Sequence, residues 1–152
     1  MKTHIVKLKK LGACQEAVEW AKQFNNIQEA WNNCKRGDWM LWLLGKQAGS
    51  PRSKSRKELV LIACKCARLA LKYIPKNEKR PLIAIKTAEK WVKGKATLQE
   101  VRTNADAAAH AAHAAAAAYA AAAADYAAYA AQKDTLLKCA EIVRKYHPEI
   151  KL

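Results

Sequence analysis

Between residues 105 and 131, 20 of 27 positions are alanine, interrupted only by Asp106, His110, His113, Tyr119, Asp125, Tyr126 and Tyr129. Alanine is the strongest helix former and brings almost no side chain to fill a core. The tract therefore predicts a thin helix roughly 40 Å long at about 1.5 Å per residue. Its backbone can approach neighbours closely, and the few larger side chains mark the faces that have partners. A chain built around such an element has little room for a β-sheet. No short strands recur at sandwich or barrel spacing in the rest of the sequence.

The other segments read as helices with recognisable ends. Ala17, Trp20, Ala21 and Phe24 recur at helical spacing in a segment from about Ala13 to Phe24. Asn26 caps a short helix holding Ile27, Ala30, Trp31 and Cys34. Gly37 ends that helix, and Asp38 caps the next, from Trp39 to Leu44. The stretch GKQAGSPRSKS (45–55) is the clearest loop. Ser55-x-x-Glu58 reads as a capping box opening a long helix to about Tyr73, with Lys65, Arg68 and Lys72 on one face. Pro81 suits the first turn of a further helix to about Lys93, stopped by Gly94. Thr97-x-x-Glu100 is a second capping box, opening the alanine-rich helix. A last segment, about Asp134 to Tyr146, is closed by Pro148; whether it joins the alanine-rich helix through Gln132 is left open by the sequence. Residues 1–11 alternate apolar and basic and read as extended or frayed. The expectation is one all-α domain over residues 1–152, a compact bundle of about six to seven helices with a long alanine-rich member.

Charge narrows the partners. The formal net charge is +15, and residues 46–95 hold 15 basic and 3 acidic groups. That middle segment attracts anions: nucleic acid, nucleotides or an acidic protein surface. Of the 28 basic residues 21 are lysine, the usual choice for solvated faces, whereas arginine suits bidentate phosphate contacts. There is no signal-peptide pattern and no run long and apolar enough to suggest a membrane span. Five cysteines (Cys14, Cys34, Cys64, Cys66, Cys139) without a secretion signal read as reduced, mostly structural thiols. A cytoplasmic protein is the expectation.

Three groups could carry chemistry. Arg36, just before a helix start and beside Trp39 and Trp42, offers cation, stacking rings and orphan N–H groups to an anion or nucleobase. The same tryptophans serve equally well as core anchors. On the alanine helix Tyr119, Tyr126 and Tyr129 share a side with Leu136, Leu137 and Ala140, with Asp125 at its edge. On the opposite side gather Arg102, Asp106, His110 and His113. The last three, at i, i+4 and i+7, are weak candidates for a metal or an Asp-oriented histidine base. An anionic nucleotide site would draw on Arg36, Trp39, Trp42, Arg102, Tyr119, Asp125 and Tyr126. No P-loop, dinucleotide fingerprint, nucleophile elbow or paired Cys-x-x-Cys is present, which disfavours an enzyme and requires no cofactor. Nothing reads as a DNA-binding signature.

CKRGDWMLWLLGK, LVLIACKCARLAL, EKRPLIAIKTAEKWVKG, the alanine/tyrosine tract and KCAEIVRKYHP, in that order from about Leu11 to Pro148, resemble a family. It comprises the small helical proteins of bacteria and phages called putative immunity proteins. The resemblance implies an all-α protein that neutralises a toxin or host-defence partner by stoichiometric binding, with no active site to transfer. The chain is more basic than acidic, nuclease-blocking immunity proteins, which argues against nucleic-acid mimicry. A second expectation is a phage sponge that sequesters an anionic cyclic nucleotide signal. In both cases the thin alanine face favours pairing with a second copy.

Overall fold

The computed structural model describes residues 1–108 and 126–152, with side chains left out over 126–131. In order the described elements are α1 (Thr3–Leu11), α2 (Gln15–Ala21), α3 (Ile27–Asn33), α4 (Gly37–Gln47) and α5 (Lys54–Ala70). A 3-10 turn (Leu71–Tyr73), α6 (Arg80–Val92), α7 (98–108) and α8 (Tyr126–Tyr146) follow. The fold is all-α, as the composition requires, and no strand occurs among the described residues.

α5 and α8 form the centre. α8 packs on both α4 and α5, and α6 packs on the other side of α5. Ile62 of α5 and Ala140 and Val143 of α8 are fully buried, with Met40, Leu43 and Trp31 beside them. Burying an aliphatic side chain this completely contributes about 1.5–3 kcal/mol. The close approach of α4 to α8 depends on Gly37. A Cβ there would stand 2.5 Å from Cys139 Cβ and 2.7 Å from Ala140 N, well inside van der Waals contact.

Several helix ends follow the local sequence. Asn26 Oδ1 accepts the Glu29 N–H at 2.8 Å. Thr97 Oγ1 accepts the Glu100 N–H while Glu100 Oε2 accepts the Thr97 N–H, the reciprocal pair of a capping box. Pro81 stands in the first turn of α6, and Gly94, at φ 72°, ends the following turn in the left-handed region.

Other ends differ from expectation. Residues 1–11 are not extended. Thr3–Leu11 is a helix because His4, Ile5 and Leu8 share one face that is buried, leaving Val6 half exposed. His4 Nε2 lies 3.2 Å from Ala21 O, which can only accept, so the ring N–H donates and ties α1 to α2. Gly37 begins α4 rather than ending α3, and Asp38 is not its cap: its carboxylate turns back to Arg36. α4 runs on to Gln47, so the loop starts later than Gly45. The cap of α5 is Ser53, whose Oγ accepts the Arg56 N–H, while Ser55 Oγ instead accepts the Gly49 N–H. α8 runs unbroken through Gln132, a continuity the sequence leaves open, and so begins before Asp134.

The segment after α8 returns over the first helices. Trp31 Nε1 donates to His147 O, Gln28 Nε2 to Pro148 O, and Ile150 N to Gln28 Oε1. Lys7 and Gln47 donate to the carbonyls of Leu152 and Lys151. Ile150 is buried among the core residues.

Candidate functional site

The tryptophan helix α4 sets its rings beside α2 rather than wholly inside the core. Trp20 of α2 stacks at a tilt on Trp39, centroids 5.8 Å apart, and on Phe24 at 4.8 Å. Trp20, Phe24, Trp39 and Trp42 are each only partly buried. Behind them lies an apolar cavity of about 50 Å³, walled by α1–α4 side chains including Leu8, Ala17, Ile27, Trp31 and Met40. An apolar cavity of this kind favours an apolar group over water.

Charges flank the rings. The Arg36 guanidinium sits 4.4 Å above the Trp39 ring, and Lys46 Nζ lies 5.5 Å from that of Trp42. Arg36 also forks onto Asp38, at 2.9 Å and 2.7 Å, and reaches Glu16 at 3.3 Å. The hydrogen bond to Asp38 raises the Arg36 guanidinium above its ordinary value. Burial works to raise the Asp38 carboxyl, but the Arg36 bond and charge override it and hold the group below the usual range. Arg36 is thus a fixed, internally neutralised cation, and a phosphate would have to displace Asp38 to use its fork.

Of the residues singled out in the sequence, the structure brings Arg36 and Trp39 together and sets Trp42 on the same cavity wall. Arg102 and Asp106 are exposed on α7. Among the described residues, no hydrogen bond or ring contact joins them to the Arg36 group. His110, His113, Tyr119 and Asp125 lie outside the described residues, as does the side chain of Tyr126. Trp20 gives no sign in the sequence of partnering Trp39. Its spacing to Phe24 was visible, but pairing across two helices leaves no local trace.

The thiols are mainly structural. Cys34, Cys64, Cys66 and Cys139 are buried, and Cys14 is exposed. Burial pushes Cys64 up to about 11. Cys66 Sγ donates to Cys139 O at 3.8 Å, and Cys139 is raised first by its Cys66 neighbour and then by burial. Arg144 was also unforeseen: it donates to Cys34 O at 2.6 Å and Trp31 O at 3.3 Å, closing the end of α3.

The described residues form an all-α fold with partly buried aromatic rings beside a flanking cation and a strongly basic pair of helices. Residues 50–140 match the model of the Imm-5 like putative immunity protein family. The match takes in more than half of the sequence, and the chain belongs to that family. No curated protein and no solved structure matches it. No helix among the described residues is long and apolar enough to cross a membrane.

Proposed function

We propose that this chain is a non-catalytic immunity-type protein that neutralises a partner protein by stoichiometric binding, in toxin immunity or phage–host conflict. Membership of the family supports the immunity role. The observation that carries binding is the aromatic face of Trp20, Trp39 and Trp42 over an apolar cavity, flanked by Arg36 and Lys46. Tryptophan and arginine around a pocket are the residues that anchor protein interfaces. We further propose a homo-oligomer, argued from the alanine-rich sequence over 105–131, that acts in the cytoplasm. A monomer mass by light scattering at micromolar concentration overturns the oligomer.

The test is recovery of a complex of fixed stoichiometry by light scattering after affinity purification from cells that make the cognate toxin or defence protein. Trp42→Ala is expected to abolish that complex while leaving the fold intact by circular dichroism. A folded Trp42→Ala protein that binds unchanged sinks this face as the contact surface.

A second reading, sequestration of an anionic cyclic nucleotide, uses the same rings as stacking surfaces. Its cation Arg36 is engaged by Asp38, which weakens it relative to the first. Incubation with a nucleotide pool, filtration, heating and mass spectrometry of the released ligand decides it: one nucleotide retained intact establishes a sponge.

A further inference from the structure

α5 and α6 carry a lysine surface on which two of the three carboxylates are already held by arginine. Of the three carboxylates of residues 46–95, two are gripped by arginine and the third lies near a histidine. Glu89 pairs with Arg68 at 2.8 Å, Glu78 with Arg80 at 2.6 Å, and Glu58 lies 3.9 Å from His147. Arginine is consumed in the same way. Arg68 and Arg80 grip those carboxylates, and Arg56 donates to the carbonyls of Gly45, Ala48 and Gly49. What remains at the surface is lysine and Arg52.

Those lysines are ordered by helix geometry. Lys54, Lys65 and Lys72 recur on one face of α5 and the turn that continues it. Lys86, Lys90 and Lys93 recur on one face of α6 and its end. All six are exposed, and none forms an ion pair with a described carboxylate. The Arg68–Glu89 bridge joins the two helices, with Lys65 and Lys72 one turn before and after Arg68 and Lys86 and Lys93 one turn before and after Glu89. Exposed apolar groups stand among them: Ile83 on α6, Tyr73 beside Lys72, and Tyr146 beside Lys65.

We infer that this α5–α6 face is the docking surface for an acidic protein partner. The inference rests on the reading of the chain as a protein binder; it adds a second contact surface, apart from the Trp39–Trp42 face, and names the chemistry of what it binds. A field of unpaired lysines steers a carboxylate-rich surface and speeds encounter. The interspersed Ile83, Tyr73 and Tyr146 supply the apolar contacts of a protein interface. A phosphate backbone would be held best by arginine forks, and three of the four arginines in this segment are taken.

The full chain is tested against a poly-glutamate peptide and against single-stranded DNA of equal charge, by fluorescence anisotropy at about 50 mM salt and again at about 200 mM. The lysine pairs Lys65→Glu with Lys72→Glu, and Lys86→Glu with Lys90→Glu, are compared with a control of the same charge change elsewhere, Lys9→Glu with Lys35→Glu. The expected result is saturable peptide binding, weakened about tenfold or more by either face pair and less than about threefold by the control, since steering falls off beyond a Debye length. Equal loss in the control shows mere net charge and overturns the proposal. DNA held more tightly than the peptide overturns it in favour of nucleic acid, and no binding to either overturns it outright. Circular dichroism checks the variants, and Lys→Gln versions replace any that unfold. Should the peptide result fail while a stoichiometric protein complex still forms, the immunity reading stands and only this surface falls.

Discussion

Gly37 holds two helices closer than any other residue type would allow. Its missing Cβ is the space occupied by Cys139 and the Ala140 backbone. Gly37→Ala is expected to destabilise the fold by about 1–3 kcal/mol, as overpacking does, read as a lower urea midpoint with unchanged slope. Arg144 acts by hydrogen bonding rather than volume. Replacing it with methionine leaves the carbonyls of Trp31 and Cys34 without their charged donor. The expected loss is about 1.5–3 kcal/mol, by the same measurement. Neither role was legible in the sequence. Gly37 reads locally as a helix stop and Arg144 as a surface cation near a helix end. Each acts through a residue about a hundred positions away, and no local pattern carries that information.

At the level of elements, local chemistry was read well where one arrangement satisfied it and poorly where two competed. Thr97 and Glu100 have only each other, and their box forms. Ser53 and Ser55 compete, and the loop at Gly49 draws Ser55 away, leaving Ser53 to start α5. Ser53→Ala should therefore cost about 1 kcal/mol in thermal or denaturant unfolding. Residues 1–11 are ambiguous in sequence because a few alternating residues fit extended chain as well as a helix, and only burial of His4, Ile5 and Leu8 selects the helix. The α5–α6 contact carries a pH signature. The hydrogen bond from Arg68 holds the Glu89 carboxyl below its ordinary value of 4.5. Because the folded value is depressed, the bridge contributes fully above that ordinary value and is lost as pH falls through the lower folded one. The difference in melting temperature between the native protein and Glu89→Gln should be largest near neutrality and vanish in acid.

For the whole molecule, the all-α class was legible because alanine composition and helical spacing agree, and consistency across levels is what specifies a fold. The candidate site was legible in part. Trp39, Trp42 and Arg36 were visible as a string, while the cavity behind them needs α1, α2 and α3 and so exists only in the assembled fold. The basic segment is visible as composition, but its division into three tied arginines and exposed lysines emerges only when partners are placed in space.

The Arg144 clasp on α3 has a consequence for how the chain is made. Its acceptor at Cys34 leaves the ribosome 110 residues before Arg144 does. At about 5–20 residues per second that interval is on the order of ten seconds. Throughout it the first four helices have neither α8 to cover them nor His147 to receive the Trp31 indole. The tryptophan-rich half of the nascent protein therefore waits open, and its contact with chaperones is set by the clock of translation.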